Sequence, residues 1–176
     1  PVTINLTYTG IAADGTDYTS QATVTIPAGS TTATFTLDSI EDSIVESNET
    51  VVVTIGSISG GGFEATPVAH ATNNIVTTTI IDDDQPQVSI SDATTIEGGD
   101  LEFVVTLDQA PVSATTVDFA TATGTATAGD FTASTGTLTF AVGETTKTIT
   151  VSTVNDTTYE PDETLNVNLT NASNAT

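Results

Sequence analysis

The sequence predicts an all-β fold made of tandem immunoglobulin-like antiparallel β-sandwich modules. Apolar residues alternate with polar ones in short runs rich in β-branched Val, Ile and Thr, which pack well on a pleated sheet. No stretch of the 176 residues shows sustained helical periodicity. Blocks of sequence also recur in the same order at a nearly constant distance, which indicates a tandem array. Short strands separated by turn residues are typical of a sandwich.

The repeat consists of three blocks. The two copies of each block are Gly15-Thr16-Asp17-Tyr18 with Ala128-Gly129-Asp130-Phe131, residues 26–30 with residues 140–144, and residues 42–50 with residues 156–164. The sequence therefore predicts one module over residues 1–84 and a second over residues 85–176. Each is expected to be incomplete, because the first has no counterpart of residues 88–107 and the second has no counterpart of residues 76–81.

Period-two alternation places the individual strands. In the first copy we expect strands at residues 2–7, 23–26, 33–37, 51–55 and 76–81. In the second copy we expect them at residues 88–91, 101–107, 116–120, 137–140, 146–154 and 164–169. Leu101, Phe103, Val105 and Leu107 share one strand face and Glu102 lies on the other, which is the pattern of a half-buried antiparallel strand.

The charge balance excludes several classes of partner. Against 23 Asp and Glu residues stands one basic side chain, Lys147, so the formal net charge is −22. Nucleic acids and anionic membrane surfaces need clusters of Lys and Arg, and both are excluded. No apolar run predicts membrane insertion in this segment, and the absence of cysteine excludes disulfides and thiolate metal sites. A solvated acidic surface is the simplest alternative explanation of the charge.

The positions of the acids indicate more than a solvated surface. In an up-and-down sandwich, loops that follow alternate strands emerge at one end, and the acids of both copies lie in such loops. So many carboxylates cannot stay ionised together without counter-charge, and no arginine is present to supply it. Calcium accepts several oxygen ligands with flexible geometry, whereas magnesium needs a stricter octahedron and zinc prefers His or Cys. The sequence therefore predicts Ca²⁺ as the cofactor.

The ordered motifs resemble Calx-beta domains. The resemblance rests on the three repeated blocks, on the segment Ile80-Ile81-Asp82-Asp83-Asp84, and on the opening strand that ends at Ile96-Glu97-Gly98. It implies that the acids are calcium ligands: Asp17, Asp42, Glu46, Glu49, Asp82, Asp83 and Asp84 in the first copy, and Glu97, Asp130, Asp156, Glu160 and Glu163 in the second. Two departures from the family pattern are Asn155, where exchangers often have Asp, and the absence of the first copy's opening Glu and the second copy's closing Asp triplet.

These observations predict a calcium-binding structural or adhesive spacer of a large secreted or cell-surface protein. Calcium would stiffen the inter-module junction, where residues 82–84 are followed by the short segment 85–87 with its proline. We expect no enzyme, since no catalytic motif is present. Partners would be neighbouring modules, other copies in a fibre, or a cell-surface or matrix ligand. The alternatives are a calcium-independent fibre subunit, possibly strand-exchanged, and a ligand-binding tip domain that uses the loop at residues 56–74.

Overall fold

The computed structural model describes residues 1–63, 65 and 67–176. These residues form twelve β-strands and no helix, and all strand pairings are antiparallel. The predicted all-β sandwich class is confirmed. The chain divides into two compact units, Pro1–Asp82 and Asp83–Thr176, two residues before the boundary that the repeat predicts. The described residues contain no helix long and apolar enough to cross a membrane.

The first unit contains one four-stranded sheet. Its strands are β1 (Val2–Gly10), β2 (Tyr18–Thr19), β3 (Thr23–Ile26), β4 (Asp38–Ser39), β5 (Glu49–Gly60) and β6 (Ile75–Ile80). The sheet order is β3-β1-β5-β6, while β2 and β4 form a separate short pair. The alternating apolar residues of β1 and β5 face one side and form the core of this unit, and its buried members are Leu6, Ala12, Tyr18, Val51 and Val53.

The predicted strand at residues 33–37 is wrong. These residues form no strand, and only the two residues of β4 pair, with β2. The reason is the absence of a ladder partner: the corresponding strand of the second unit pairs with a long neighbour for which the described residues of the first unit hold no counterpart. Phe35 and Leu37 nevertheless pack against the core, so the segment keeps its apolar contacts without backbone pairing.

The second unit contains two three-stranded sheets. Its strands are β7 (Val88–Ile90), β8 (Asp100–Leu107), β9 (Thr115–Thr123), β10 (Thr135–Phe140), β11 (Thr146–Ser152) and β12 (Leu165–Ser173). One sheet has the order β10-β9-β12 and the other β11-β8-β7. The alternation in β8 is as predicted, with Leu101, Phe103, Val105 and Leu107 buried and Glu102 exposed. Residues from both sheets form one core cluster, in which Val105, Val117 and Phe140 are fully buried.

A long loop connects β5 to β6. Gly60, Gly61 and Gly62 at its start all have positive φ, between 67° and 80°, a conformation that glycine adopts at little cost. The loop belongs to the segment at residues 56–74, which one of the alternative interpretations assigns to ligand binding, and residues 64 and 66 of that segment lie outside the described residues. Phe63, beside them, is exposed.

Candidate metal centre

One aspartate in each unit is held by the loop that carries it. The backbone N–H of Ala13 donates to Asp17 Oδ2 at 2.5 Å, and the N–H of Thr127 donates to Asp130 Oδ2 at 2.6 Å. Each loop thus fixes its aspartate by a local backbone hydrogen bond, from four residues before Asp17 in the first unit and from three residues before Asp130 in the second.

The residue after each of these aspartates anchors the loop in the core. Tyr18 is 3% exposed and Phe131 is 6% exposed, as expected for aromatic side chains that close the end of the module. The backbone oxygens of Asp17 and Asp130 accept hydrogen bonds from Ile40 and Val154, respectively, at 2.9 and 2.8 Å. An aromatic anchor and a backbone bond therefore limit the movement of each loop carboxylate.

A close backbone approach brings these loops to the strand that carries the glutamates. Thr50 in β5 accepts backbone hydrogen bonds from Ile11 and Ala12, which directly follow Gly10. In the second unit, the Thr164 oxygen accepts from Ala126, and a Cβ added at Gly124 would lie 2.7 Å from Thr164 Oγ1. Each threonine directly follows a predicted ligand, Glu49 or Glu163, so this contact sets the distance from loop aspartate to glutamate.

In the second unit three predicted ligands converge. Asp130, Glu160 and Glu163 each present a carboxylate oxygen, and these oxygens all lie within 4.8 Å of one another. Asp130 is half-buried, while the two glutamates are exposed. Among the described residues, this is the group whose geometry suits a metal ion. All three donors are hard oxygens, which fits calcium and not zinc.

The electrostatics of this cluster show mutual repulsion. Desolvation raises the pKa of the Glu163 carboxyl above its ordinary value, and the charges of Asp130 and Glu160 raise it further. Desolvation also raises the pKa of Glu160, with added contributions from Asp130 and Asp156. The hydrogen bonds from Thr127 lower the pKa of Asp130, which therefore keeps its charge most readily. Removal of a proton from either glutamate is thus opposed by its neighbours.

The other two predicted ligands of the second unit act at longer range. The charge of Glu97 contributes to the raised pKa of both Glu160 and Glu163, and that of Asp156 contributes at Glu160. Glu97 lies in the turn before β8. Thr153 holds this turn by donating its backbone N–H to the Gly99 oxygen at 3.0 Å. The structure does not place either carboxylate within the three-membered cluster.

In the first unit the predicted ligands form a looser arrangement. Desolvation raises the pKa of Glu49, and a hydrogen bond to Asp17 and the charge of Glu46 add to this shift. Asp82 Oδ2 accepts the backbone N–H of Glu46 at 3.0 Å. Four of the seven predicted residues, Asp17, Glu46, Glu49 and Asp82, are therefore connected by direct or electrostatic contacts.

The other three predicted ligands of the first unit, Asp42, Asp83 and Asp84, lie outside this arrangement. Asp42 Oδ1 accepts the N–H of Ile44 at 2.7 Å, and Asp156 in the second unit makes the same turn with Thr158 at 2.6 Å. Asp83 and Asp84 lie beyond the boundary of the first unit. The ligand assignments of the two copies stay predictions.

Sequence reasoning missed residues that position the predicted ligands. Asn48 Oδ1 accepts the backbone N–H of Asp82 at 3.2 Å and so places the carboxylate beside Glu46. Thr125 Oγ1 accepts the N–H of Thr164 at 2.8 Å. The signal was available in part, because Asn48 stands inside a repeated acidic block where a side-chain amide can accept a backbone hydrogen bond. The signal for Thr125 was lost among the many threonines.

The fold and these clusters define a tandem of acidic β-sandwich modules with carboxylates gathered in the loops. The family model for the Calx-beta domain matches the chain twice, over residues 2–85 and 82–176. The chain belongs to the Calx-beta domain family, as the motifs indicated. A comparison with curated protein sequences finds no match.

Solved structures include relatives of the same fold. The apo form of the Calx CBD1 domain is 26% identical with a TM-score of 0.50, and the alignment covers 53% of this chain and 87% of that one. The calcium binding domain CBD12 of CALX1.1 and the CBD12 of CALX1.2 are each 23% identical, with TM-scores of 0.44 and 0.46. Both alignments cover 97% of this chain and 68% of theirs.

Proposed function

We propose that this tandem of Calx-beta domains binds calcium, and that the cluster of Asp130, Glu160 and Glu163 is the main site. The observation that carries the proposal is the convergence of three carboxylate oxygens within 4.8 Å. Lys147, the single basic side chain of the chain, pairs with Glu144 at 2.7 Å, a residue outside the cluster. The negative charge at the cluster therefore calls for a cation from solution.

The chemistry of the donors selects among cations. Asp130, Glu160 and Glu163 supply oxygens only, and calcium tolerates the irregular geometry that loop carboxylates offer. Glu97 and Asp156 lie close enough to influence the site and could complete the coordination shell after small loop movements. The first unit would bind a second ion through Asp17, Glu46, Glu49 and Asp82, with lower affinity because its described residues form no equally tight cluster.

Calcium titration by isothermal calorimetry tests the proposal. We expect saturable binding. The double substitution Glu160→Gln with Glu163→Gln should reduce it strongly, because both side chains lose their negative charge. The matched control is Glu102→Gln on the exposed face of β8, which removes the same kind of charge away from the cluster. Free calcium at about 100 times its dissociation constant should stabilise the native state by about 2.7 kcal/mol per site. Equal losses from both variants, or no heat of binding, would refute the proposal.

The wider role that we propose is a spacer or adhesive module of a secreted or cell-surface protein, in which calcium stiffens the junction between modules. Support comes from the sequence: Asp82, Asp83 and Asp84 stand directly before Gln85 and Pro86, and proline restricts the chain at that point. Small-angle scattering with calcium and with chelator tests it. We expect a longer and narrower distance distribution with calcium, and identical distributions would contradict the stiffening.

A calcium-independent fibre subunit is the second candidate. Polymerisation in chelator, seen by light scattering, would support this candidate over the calcium-dependent spacer.

A further inference from the structure

The chain that connects the two units is held at the end of the first unit. Asn48 Oδ1 accepts the backbone N–H of Asp82 at 3.2 Å, and Asp82 Oδ2 accepts the N–H of Glu46 at 3.0 Å. Asp82 is the last residue of the first unit, and both of its partners belong to that unit. Any bending between the units is therefore expected after Asp82.

The start of the second unit is held by two of its elements. Pro86 is fully buried, and its backbone oxygen accepts the N–H of Thr176, beyond β12, at 3.0 Å. The Thr176 oxygen accepts the N–H of Val88 at 2.9 Å. Asp108, directly after β8, donates its backbone N–H to the Gln87 oxygen at 3.1 Å. Since β12 and β8 belong to different sheets, the entering chain is attached to both sheets of the unit.

The side chain of Asp108 adds a second bond to the same residue. The backbone N–H of Gln87 donates to Asp108 Oδ1 at 2.6 Å. Val88 and Leu107 form the first pair of the β7–β8 ladder, so the carboxylate holds the chain one residue before this ladder begins. Pro86 has no N–H to donate, which leaves Gln87 with the first amide after the proline. A hydrogen bond to an ionised carboxylate is stronger than one between neutral groups.

We propose that Asp108 is a positioning residue of the junction: it fixes the path by which the chain enters the second unit, and it thereby confines bending between the units to residues 83–85. If Gln87 were released, the segment able to bend would extend over residues 83–87, up to the start of β7. The reach of a flexible segment grows with the square root of its length, so the longer segment would permit a wider range of arrangements.

This role of Asp108 does not depend on calcium. Asp108 is not one of the predicted ligands, and its bond with Gln87 forms within the second unit without a cation. The role also limits how calcium could stiffen the junction, because the ion would have to restrict residues 83–85, where the predicted ligands Asp83 and Asp84 lie. The effect of Asp108 is therefore measured in chelator, and that of calcium in a separate arm.

Distances between two spin labels test the proposal on the full chain. The sequence contains no cysteine, so Thr9→Cys in β1 and Thr148→Cys in β11, both at exposed positions, provide one labelling site in each unit. In chelator we expect Asp108→Ala to broaden the distance distribution at least about 1.3-fold, as the movable segment grows from three residues to five. Asp108→Asn keeps the accepting side-chain oxygen and should retain the wild-type width. The matched control is Asp100→Ala, which removes an exposed aspartate at the other end of β8.

Amide hydrogen exchange of the ¹⁵N-labelled chain shows whether the contact itself is lost. In Asp108→Ala the Gln87 amide should exchange about tenfold faster, because it loses its acceptor, while the fully buried Val105 should keep its rate and so report that the unit is folded. An unchanged distance distribution in Asp108→Ala, even with faster exchange at Gln87, would overturn the proposal. Equal broadening in Asp108→Asn or in Asp100→Ala would also overturn it, since charge and not the hydrogen bond would then be the cause.

The calcium arm separates this proposal from the stiffening proposed above. If calcium leaves the wild-type distribution unchanged, calcium-dependent stiffening is wrong, while the broadening by Asp108→Ala in chelator still supports the role of Asp108. If calcium narrows the wild-type distribution but Asp108→Ala leaves it unchanged in chelator, the junction is stiffened by the ion and the role of Asp108 is wrong.

Discussion

Gly124→Ala should destabilise the second unit and weaken the cation site together. An added Cβ would overlap the backbone oxygen of Thr164 and would lie 2.7 Å from its Oγ1 and 2.9 Å from its carbonyl carbon. Thr164 would have to move, which would lengthen its hydrogen bonds with Ala126 and Thr125. Overpacking costs about 1–3 kcal/mol and each weakened bond about 1 kcal/mol. The lower entropy of the unfolded alanine chain returns about 0.4–1 kcal/mol.

The net expectation is a loss of about 3 kcal/mol, or roughly 12–24 °C in Tm for a unit of this size. Glu163 directly precedes Thr164, so calcium affinity should fall about tenfold, as when a positioning contact of a metal ligand is removed. Calorimetric melting and calcium titration measure the two effects. Gly129→Ala is the control, because its Cβ would meet only Thr127 Oγ1, at 3.6 Å. A stability change under about 0.5 kcal/mol with unchanged affinity would refute this account of Gly124.

Two further expectations concern pH and the core. In chelator at pH 7, Glu160→Gln with Glu163→Gln should melt above the wild type, because the raised pKa of each glutamate reflects a charged form that the folded site disfavours. A glutamate with a raised pKa stabilises the folded wild type below its unfolded pKa of about 4.5, and this stabilisation is lost as the pH rises through the folded pKa. The difference in Tm between the variant and the wild type should therefore vanish on acidification. A difference that stays constant with pH would show that charge is not its cause. Phe140→Ala should cost about 3–5 kcal/mol in denaturant unfolding because Phe140 is fully buried, whereas the exposed Val142→Ala should change stability by less than about 0.5 kcal/mol; similar losses in both would contradict the assigned core.

Most of the strand pattern could be predicted from the sequence because alternation reports directly on which face is buried. Leu101 to Leu107 behaved as predicted for this reason. Residues 33–37 alternate equally well, yet they form no strand, because pairing depends on a neighbour that local sequence does not encode. Alternation therefore predicts that a segment is extended and which side is apolar, but only the sheet decides whether it is paired.

The site divides in the same way. Strand parity and the repeated blocks were sufficient to predict that Asp130, Glu160 and Glu163 lie at the same end of the module, and their carboxylates do lie close together. They could not predict that Asp42 and Asp156 would accept hydrogen bonds within their own turns, because that depends on loop conformation over two residues. A carboxylate that already accepts a backbone N–H is fixed in direction, and it can still offer its second oxygen to an ion.

The comparison of the two units shows which elements build the site. Residues 33–37 form no strand in the first unit, whereas the corresponding residues of the second unit lie in β11, so the described strands of the two units differ. Even so, each loop aspartate accepts a local backbone hydrogen bond, and Thr50 and Thr164 receive equivalent backbone bonds. The ligand geometry must then depend on the elements that the units share, namely the pairing of β1 with β5 and of β9 with β12, together with the loops that these strands carry. A cation would bind to a frame that exists before it arrives, and its affinity would depend on how many carboxylates the local loops turn inwards.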